Sequence, residues 1–400
     1  MAPARILLVS PYLPYADIRH AGGKFIRDFM VHLRKKGEKI YLVCFVTPDE
    51  QKYTEEVRRM CDDHCFLLRR GAVRGKLSKF FSEHPFLGII KLLLWVFEKH
   101  YFTYKLSKSV SEMADKHNVD ALQVEYSRMG IFLRKIDFNG LKILDLHDVM
   151  IKPAAREYRS EKNIVKKIFR YLNFLSVKNM EIAFCRKFDV LLTKSELDKG
   201  ILERYGNFNI KVVPLGLDVV PGTKGYENRE DNSVMFVGSM KRRLNEEAAL
   251  YFITKVLPLI KKELNGIKFY VIGDEPSERL KKYSSENVII TGYVEDLSIY
   301  YNKCKVFVAP LFTGGGMIYK IQESMNFGVP VVATSIANEG ILACNGLEIL
   351  IADNPDGFCV NVLNVLKDKG LWEDLSRQAK KFIEDKFSWE KVIEQYLFYK

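Results

Sequence analysis

The chain has 400 residues, of which 48% are hydrophobic, and a formal net charge of +12. This length exceeds one ordinary hydrophobic core, so two domains of about 150 to 200 residues are expected, and the hydrophobic content argues against a disordered chain. The positive charge favours an anionic partner, which is nucleic acid, acidic lipid or a phosphorylated substrate.

The N-terminus and the cysteines indicate the compartment. Residues 4–10 form an apolar run that is too short for a signal peptide and lacks a cleavage site, so a first strand is expected there. No stretch reaches the roughly 18 uncharged residues of a membrane span. Seven scattered cysteines, an odd number, indicate reduced thiols in a cytoplasmic protein.

Cys61, His64 and Cys65 form the one tight group of potential zinc ligands in the sequence. A structural zinc site needs a second Cys or His pair at ligand spacing, and the sequence offers none. We therefore expect a helix-to-strand connection at this position and no bound metal.

Short runs rich in Val, Ile and Leu recur along the chain between charged or turn-forming segments. They predict strands at residues 6–10, 40–46, 121–125, 142–146, 190–193 and 211–214, and again at 233–237, 267–272, 288–291, 306–310, 329–334 and 348–351. The runs lack strict alternation, which is typical of parallel strands buried on both faces and joined by helices. The expected fold class is α/β, with two doubly wound, Rossmann-like domains.

Residues 216–232 separate the two sets of strands. They contain turn formers and charges without an apolar period, which predicts an interdomain linker. The first domain is then expected at residues 1–215 and the second at 233–385.

Residues 86–97 in the first domain are apolar on most faces and follow Arg69, Arg70, Arg74, Lys76 and Lys79. One interpretation is a helix buried against the first sheet. The alternative is a helix lying in the interface of an anionic membrane. Residues 162–170 repeat the basic, amphipathic pattern.

The segment after the predicted strand 306–310 has the composition of an anion site. Gly314 to Gly316 allow a close backbone approach, and a helix is expected to open near Met317 with its free N–H groups facing the ligand. Lys320 and Glu323, three residues apart, fall on one face of that helix. They suit a phosphate and ribose hydroxyls; the alternative is a flexible turn followed by a solvated ion pair.

Seven motifs occur in an order that resembles one known family. They are residues 6–14 followed by Gly22 and Gly23, then 193–198, 213–218, 236–240, 291–294, 314–340 and 387–390. The chain resembles the retaining glycosyltransferases of the GT-B fold, family 4, also called glycosyl transferases group 1. The resemblance implies two domains facing across a cleft, a nucleotide sugar bound mainly by the second domain, and a last helix, 386–400, that crosses back to the first.

The resemblance also assigns roles to individual residues. Glu323 matches the second glutamate of the family's E-x7-E motif and would bind the ribose, while Lys320 would neutralise phosphate. His147, which follows a predicted strand, matches a histidine that faces the donor sugar, so His147, Lys320 and Glu323 are the candidate catalytic residues. The candidate donor-binding residues are Gly22, Gly23, Gly238, Arg243, Tyr293, Val294, Gly316, Met317, Ile318, Lys320 and Glu323.

Two positions depart from the family pattern. Gly315 stands where the first glutamate of E-x7-E is usual, and Ser239 replaces the usual phosphate-binding arginine. Lys241, Arg242 and Arg243 follow directly and could supply that charge, and Arg243 is the preferred candidate.

The expected function is transfer of a sugar from a nucleotide-diphosphate donor to a hydroxyl of a glycan or lipid-linked acceptor. The sequence contains no D-x-D triplet, so we expect no metal and no cofactor beyond the nucleotide sugar. The alternatives are a GT-B sugar-nucleotide epimerase and a non-catalytic protein that binds anionic surfaces. A dehydrogenase would need G-x-G-x-x-G after the first strand, and a nucleic-acid partner would need clustered basic residues. The expected location is cytoplasmic, with peripheral attachment to the membrane as an alternative.

Overall fold

A computed structural model describes residues 3–18, 21–69, 88–131, 138–313 and 317–399, with side chains omitted for 21, 88–102, 131 and 398–399. The chain divides into two units. The first unit comprises Met1–Val213 and Ile393–Lys400, and the second comprises Pro214–Val392.

The first unit contains a parallel sheet of seven strands in the order β3-β2-β1-β4-β5-β6-β7. The strands are β1 (Arg5–Ser10), β2 (Lys39–Val46), β3 (Asp63–Leu68), β4 (Ala121–Glu125), β5 (Leu141–Leu146), β6 (Val190–Thr193) and β7 (Ile210–Val212). The strand order reverses between β1 and β4, and ligands of doubly wound sheets bind beyond the carboxyl ends of strands at such a point.

Two helices of the first unit, those that begin at Ile164 and Glu196, have side-chain N-caps. Asn163 Oδ1 accepts a hydrogen bond from the N–H of Lys166, and Ser195 Oγ accepts one from the N–H of Asp198. The helices are α1 (Ala21–Lys35), α2 (Thr54–Arg58), α3 (Gly88–His117), α4 (Ile151–Ser160), α5 (Ile164–Cys185) and α6 (Glu196–Glu203), with 3-10 turns at Pro48–Tyr53 and Ser127–Ile131.

The second unit has a parallel sheet of six strands in the order β10-β9-β8-β11-β12-β13, and its order reverses at β8 and β11. The strands are β8 (Ser233–Val237), β9 (Lys268–Ile272), β10 (Val288–Gly292), β11 (Val306–Ala309), β12 (Val331–Ala333) and β13 (Leu350–Ile351). Every residue of β8 and β11 is buried, as their continuous apolar runs predict.

Helices surround this second sheet. They are α7 (Arg243–Tyr251), α8 (Leu257–Glu263), α9 (Glu278–Lys281), α10 (Ser298–Lys303), α11 (Tyr319–Asn326), α12 (Ser335–Asn338), α13 (Pro355–Lys367), α14 (Lys369–Phe387) and α15 (Trp389–Tyr399), with a π-helical turn at Phe252–Val256 and a 3-10 turn at Tyr226–Asn228. The boundary between the two units falls inside α15.

The unit boundaries differ from the predicted ones. Residues 216–232, predicted as a linker, belong to the second unit. The Arg229 guanidinium explains this, because it is buried and donates hydrogen bonds to the carbonyls of Tyr301, Cys304 and Phe327. The last segment that groups with the first unit begins at Ile393 rather than at residue 386.

Two further differences concern the first unit. Strand β3 was not among the predicted strands, because its sequence opens with Asp63 and His64 at the edge of the sheet. The proposed membrane segment at residues 86–97 and the basic residues Arg70, Arg74, Lys76 and Lys79 lie outside the part of the chain whose side chains are described. Within the described residues, no helix is long and apolar enough to cross a membrane.

Candidate functional site

Three glycines bring the ends of β8, β9 and β10 close together. The N–H of Gly238 donates to Ile272 O at 2.9 Å, and the N–H of Gly273 donates to Gly292 O at 3.0 Å. Gly273 has φ of +150°, and a Cβ there would lie 1.8 Å from Gly238 O. Only glycine fits this approach, which leaves backbone rather than side chains at the carboxyl edge of the sheet.

Lys320, in the first turn of α11, points toward this edge. Its Nζ donates to Asn245 Oδ1 at 2.7 Å and lies 4.6 Å from the centre of the Phe236 ring. Burial lowers the pKa of Lys320 to about 7, with a smaller contribution from the charge of Arg242 and an opposing one from Glu323. Near neutral pH the Lys320 side chain is therefore only partly protonated, and a bound phosphate would stabilise its charged form.

Asn245 is a site residue that the sequence did not reveal. The buried amide accepts from Lys320 and donates through Nδ2 to Ser239 O at 2.9 Å. A Cβ at Gly238 would lie 2.6 Å from Lys320 Nζ and 2.7 Å from Asn245 Nδ2. Gly238 thus makes room for a lysine and an amide that link α11 to the loop after β8.

The basic residues after Ser239 separate into different environments. Arg243 is 91% exposed in its side chain and lies 3.8 Å from the carboxylate of Glu247, one turn along α7. Arg242 is the residue whose charge contributes to the lowered pKa of Lys320. Both arginines are exposed, so the role of Arg243 as the second cation stays a prediction, with Arg242 as the alternative.

Glu323 lies one turn after Lys320, as predicted. The Tyr301 hydroxyl donates to Glu323 Oε2 at 3.3 Å, and the buried Tyr301 ring stacks on Phe327 at 5.0 Å. Burial, followed by the charge of Glu323, raises the pKa of Tyr301 well above its ordinary value. Tyr301 therefore remains a neutral donor that orients the carboxylate.

The helix start differs from the prediction. Helix α11 begins at Tyr319, two residues after the expected position, and Ile318 is its N-cap with φ −89° and ψ 87°. The Ile321 N–H donates to Ile318 O at 2.9 Å. Met317 and Ile318 thus precede the helix, while Gly315 and Gly316 lie outside the described residues.

Tyr293 and Val294 directly follow β10. Tyr293 is 61% exposed, and Val294 packs against the core of the second unit. Their position beyond a strand end is compatible with base recognition through the backbone, which stays a prediction.

His147 belongs to a buried polar network in the first unit. Its Nε2 lies 2.6 Å from Glu125 Oε2, and Gln123 Nε2 donates to Glu125 Oε1 at 2.7 Å. Lys194 Nζ donates to Asp145 Oδ2 at 2.7 Å. All five side chains are buried, at or just beyond the carboxyl ends of β4, β5 and β6.

Burial controls the charges of this network. It raises the pKa of Glu125 to about 7, against the opposing effects of Lys194 and Gln123, and it raises the pKa of Asp145. Donor atoms of Glu125, Asp145 and His147 lie within 4.8 Å of one another, a grouping that could hold a metal ion. Because the Lys194 ammonium already contacts Asp145, we interpret the group as a hydrogen-bonded network with its own cation.

Gly22 serves the packing around His147. The Tyr126 ring stacks on the imidazole at 4.0 Å with an angle of 8°, and a Cβ at Gly22 would lie 1.6 Å from the Tyr126 hydroxyl. Gly22 and Gly23 lie in the first turn of α1. Gly22 is therefore explained by packing against Tyr126, and its donor-binding role remains a prediction.

Comparisons with known proteins agree with these features. Residues 231–368 match the family model described as glycosyl transferases group 1. A 44.6 kDa protein in the cps region of Klebsiella pneumoniae is 24% identical over 98% of both chains. A glycosyltransferase of Methanocaldococcus jannaschii is 22% identical, over 95% of this chain and 94% of its own.

Solved structures show the same fold. Anabaena HepE in complex with UDP and glucose superposes with a TM-score of 0.67 at 11% identity, covering 99% of this chain and 98% of its own. The two doubly wound sheets therefore define the GT-B fold. More particularly, the match of residues 231–368 to the glycosyl transferases group 1 agrees with the resemblance seen in the sequence.

Proposed function

We propose that the protein transfers a glycosyl group from a nucleoside-diphosphate sugar to a hydroxyl of a glycan or lipid-linked acceptor, with retention and without a metal. The observation that carries the proposal is the Lys320 ammonium, held by Asn245 beside Gly238, with Glu323 one turn further along α11. HepE was crystallised with UDP and glucose, so a uridine donor is the first to test.

Lys320 supplies the charge that the leaving group requires. As the bond from the anomeric carbon to the diphosphate breaks, its electron pair passes to a phosphate oxygen, and a nearby cation stabilises that charge as it develops. A lysine with a pKa near 7 takes up a proton when the dianionic donor binds. Glu323, oriented by Tyr301, would hold the ribose hydroxyls and so position the diphosphate.

Retention of the anomeric configuration and independence of a metal ion are also proposals. In the family mechanism the acceptor oxygen bonds to the anomeric carbon on the face that the diphosphate leaves, and the proton of the acceptor hydroxyl passes to an oxygen of the departing diphosphate. Lys320 offers the positive charge that a divalent ion could otherwise supply, and the sequence has no D-x-D. The catalytic role of His147 depends on the resemblance.

The relative from a cps region supports a place in polysaccharide biosynthesis for the cell envelope. All seven cysteines are free thiols, which fits a reaction in the reducing cytoplasm.

A screen of nucleotide sugars tests the proposal. The protein is incubated with UDP-, GDP- and ADP-sugars, with and without glycan acceptors, and both free nucleoside diphosphate and glycosylated product are measured. The proposal is supported if release of the diphosphate continues in the presence of EDTA. The glycosidic bond of the product must also have the same anomeric configuration as the sugar of the donor. Interconversion of the donor sugar without transfer indicates an epimerase, and loss of turnover that manganese restores contradicts metal independence.

A further inference from the structure

Helix α5 in the first unit carries an apolar face that no described residue covers. The side chains on this face are more than half exposed: Ile164 at 77%, Val165 at 63%, Ile168 at 57%, Phe169 at 68% and Leu172 at 55%. Their spacing of one, three and four residues places them along a single side of the helix. Isolated exposed apolar residues are common, whereas a continuous patch of this kind marks an interaction surface.

The other side of α5 already has its partner. Phe174 stacks near Tyr158 of α4 at 6.3 Å, Tyr171 lies 5.2 Å from Tyr158, and Lys167 lies over the same ring at 5.7 Å. Packing on α4 therefore uses the face that bears Lys167 and Phe174. The apolar face defined above is left over from this contact.

The charge around the apolar face of α5 indicates the kind of partner that it binds. Residues 162–180 contain five basic side chains and no acidic one; Arg170 is ion-paired with Glu157 of α4, whereas Lys162 and Lys166 are exposed. Two copies of so basic a face would repel each other, which argues against self-association. A 22-residue helix with apolar side chains on one side and lysines beside them has the composition of an interfacial helix.

We propose that the apolar face of α5 inserts into the interface of a membrane that contains anionic lipid. The apolar side chains enter the acyl boundary, while Lys162 and Lys166 contact lipid phosphates. This surface differs from residues 86–97, which the sequence suggested for the same role. It also stands independently of the proposed sugar transfer, since none of its residues belongs to the donor site.

Flotation with vesicles of phosphatidylcholine, with and without phosphatidylglycerol, tests the proposal. The full chain is expected to float with the anionic vesicles at low salt and to dissociate at high salt. Phe169→Asp should abolish flotation. The double change Lys162→Gln and Lys166→Gln should weaken it about 25-fold, because each lysine near an anionic surface contributes about fivefold.

Matched variants in the second unit serve as controls. Val360→Asp alters an apolar residue of α13 that is 55% exposed, and Lys255→Gln with Lys262→Gln removes two exposed lysines. Both should float like the wild type. Circular dichroism should show that Phe169→Asp still folds.

Three outcomes would overturn the proposal. They are absence of flotation by the wild type at low salt, wild-type flotation by Phe169→Asp, and a wild-type dimer in light scattering that Phe169→Asp separates, which would identify a second copy as the occupant. Hydrolysis of a soluble nucleotide sugar should be unchanged in all variants. A protein that floats without turning over any donor leaves this inference standing and contradicts the proposed function alone.

Discussion

Lys320 Nζ donates a hydrogen bond to Asn245 Oδ1 at 2.7 Å, so the cation expected to meet the diphosphate is held by a neutral amide and not by a carboxylate. An amide orients the lysine without raising its pKa, which burial lowers to about 7. The lysine gains its full charge when an anion arrives.

Donor affinity should depend on pH through Lys320. The ammonium form dominates below about pH 7, so binding is strongest there and weakens as pH rises through 7, by up to about tenfold per unit. Calorimetry with a nucleotide sugar, whose diphosphate does not titrate near pH 7, should show proton uptake at pH 8. Lys320→Ala should bind about 1.5 to 3 kcal/mol more weakly and lose this pH dependence. Unchanged affinity in that variant would remove Lys320 from the site.

Asn245→Asp should make the affinity for the donor independent of pH between about pH 7 and 8. A carboxylate beside Nζ would raise the pKa of Lys320 and compete with the phosphate, so affinity should fall about tenfold and stay constant between pH 7 and 8. Asn287→Asp is the matched control, because the Asn287 amide also accepts from a lysine, Lys261, and donates to a backbone carbonyl. If both variants bind alike in calorimetry, the Asn245 bridge has no role in the site.

Gly238→Ala should weaken donor binding tenfold or more, since its Cβ would lie 2.6 Å from Lys320 Nζ and displace the lysine. Gly225→Ala, with nothing within 4 Å, is the control and should bind normally. Thermal unfolding of both variants distinguishes a displaced lysine from a general loss of fold. Wild-type affinity for Gly238→Ala would show that the glycine serves another purpose.

Glu323→Ala should reduce both affinity and turnover, by about 2 to 3 kcal/mol in kcat/KM, because the ribose contact positions the diphosphate. Glu323→Gln should lose less, since the amide still accepts a hydrogen bond. Tyr301→Phe removes the hydroxyl that donates to the Glu323 carboxylate and orients it. The kcat/KM of this variant should lie between those of the wild type and Glu323→Ala. Initial rates of donor hydrolysis measure all three, and equal rates would disprove the ribose assignment.

Glu125→Gln should change how the stability of the first unit varies with pH. The pKa of Glu125 is raised in the folded state from 4.5 to about 7, so its contribution to stability is greatest below 4.5 and falls as pH rises to about 7. Glutamine does not titrate, and the variant should lose this decline. Hydrogen exchange of β4 and β5 at about pH 5 and pH 8 measures it. An unaltered decline would assign the effect to another group.

The sequence predicted the strands well, because parallel strands buried on both faces form continuous apolar runs. Such runs identified twelve of the thirteen strands of the structure. It missed β3, whose polar opening residues lie at a sheet edge, and it mistook residues 216–232 for a linker. The burial of Arg229 depends on carbonyls that lie 72 to 98 residues further along the chain, which no local pattern records.

The site was predictable where a local motif specifies it. Lys320 and Glu323 follow from their spacing after the glycines. Asn245 lies 75 residues before Lys320, and nothing in its own segment signals the contact. The choice between Arg242 and Arg243 stays a prediction, because both side chains are exposed and no contact of either with the site residues distinguishes them.

The segment Ile393–Lys400 groups with the first unit, although the second unit precedes it in the sequence. The Tyr396 ring meets Phe29 edge-on at 4.9 Å, and burial together with the charges of Glu125 and Asp145 raises the pKa of its hydroxyl well above the ordinary value. Tyr396 therefore packs beside the buried network that contains Glu125, Asp145 and His147. Because the residues of the second unit lie between β7 and Tyr396 in the sequence, the first unit cannot complete this packing until the second unit has been synthesised.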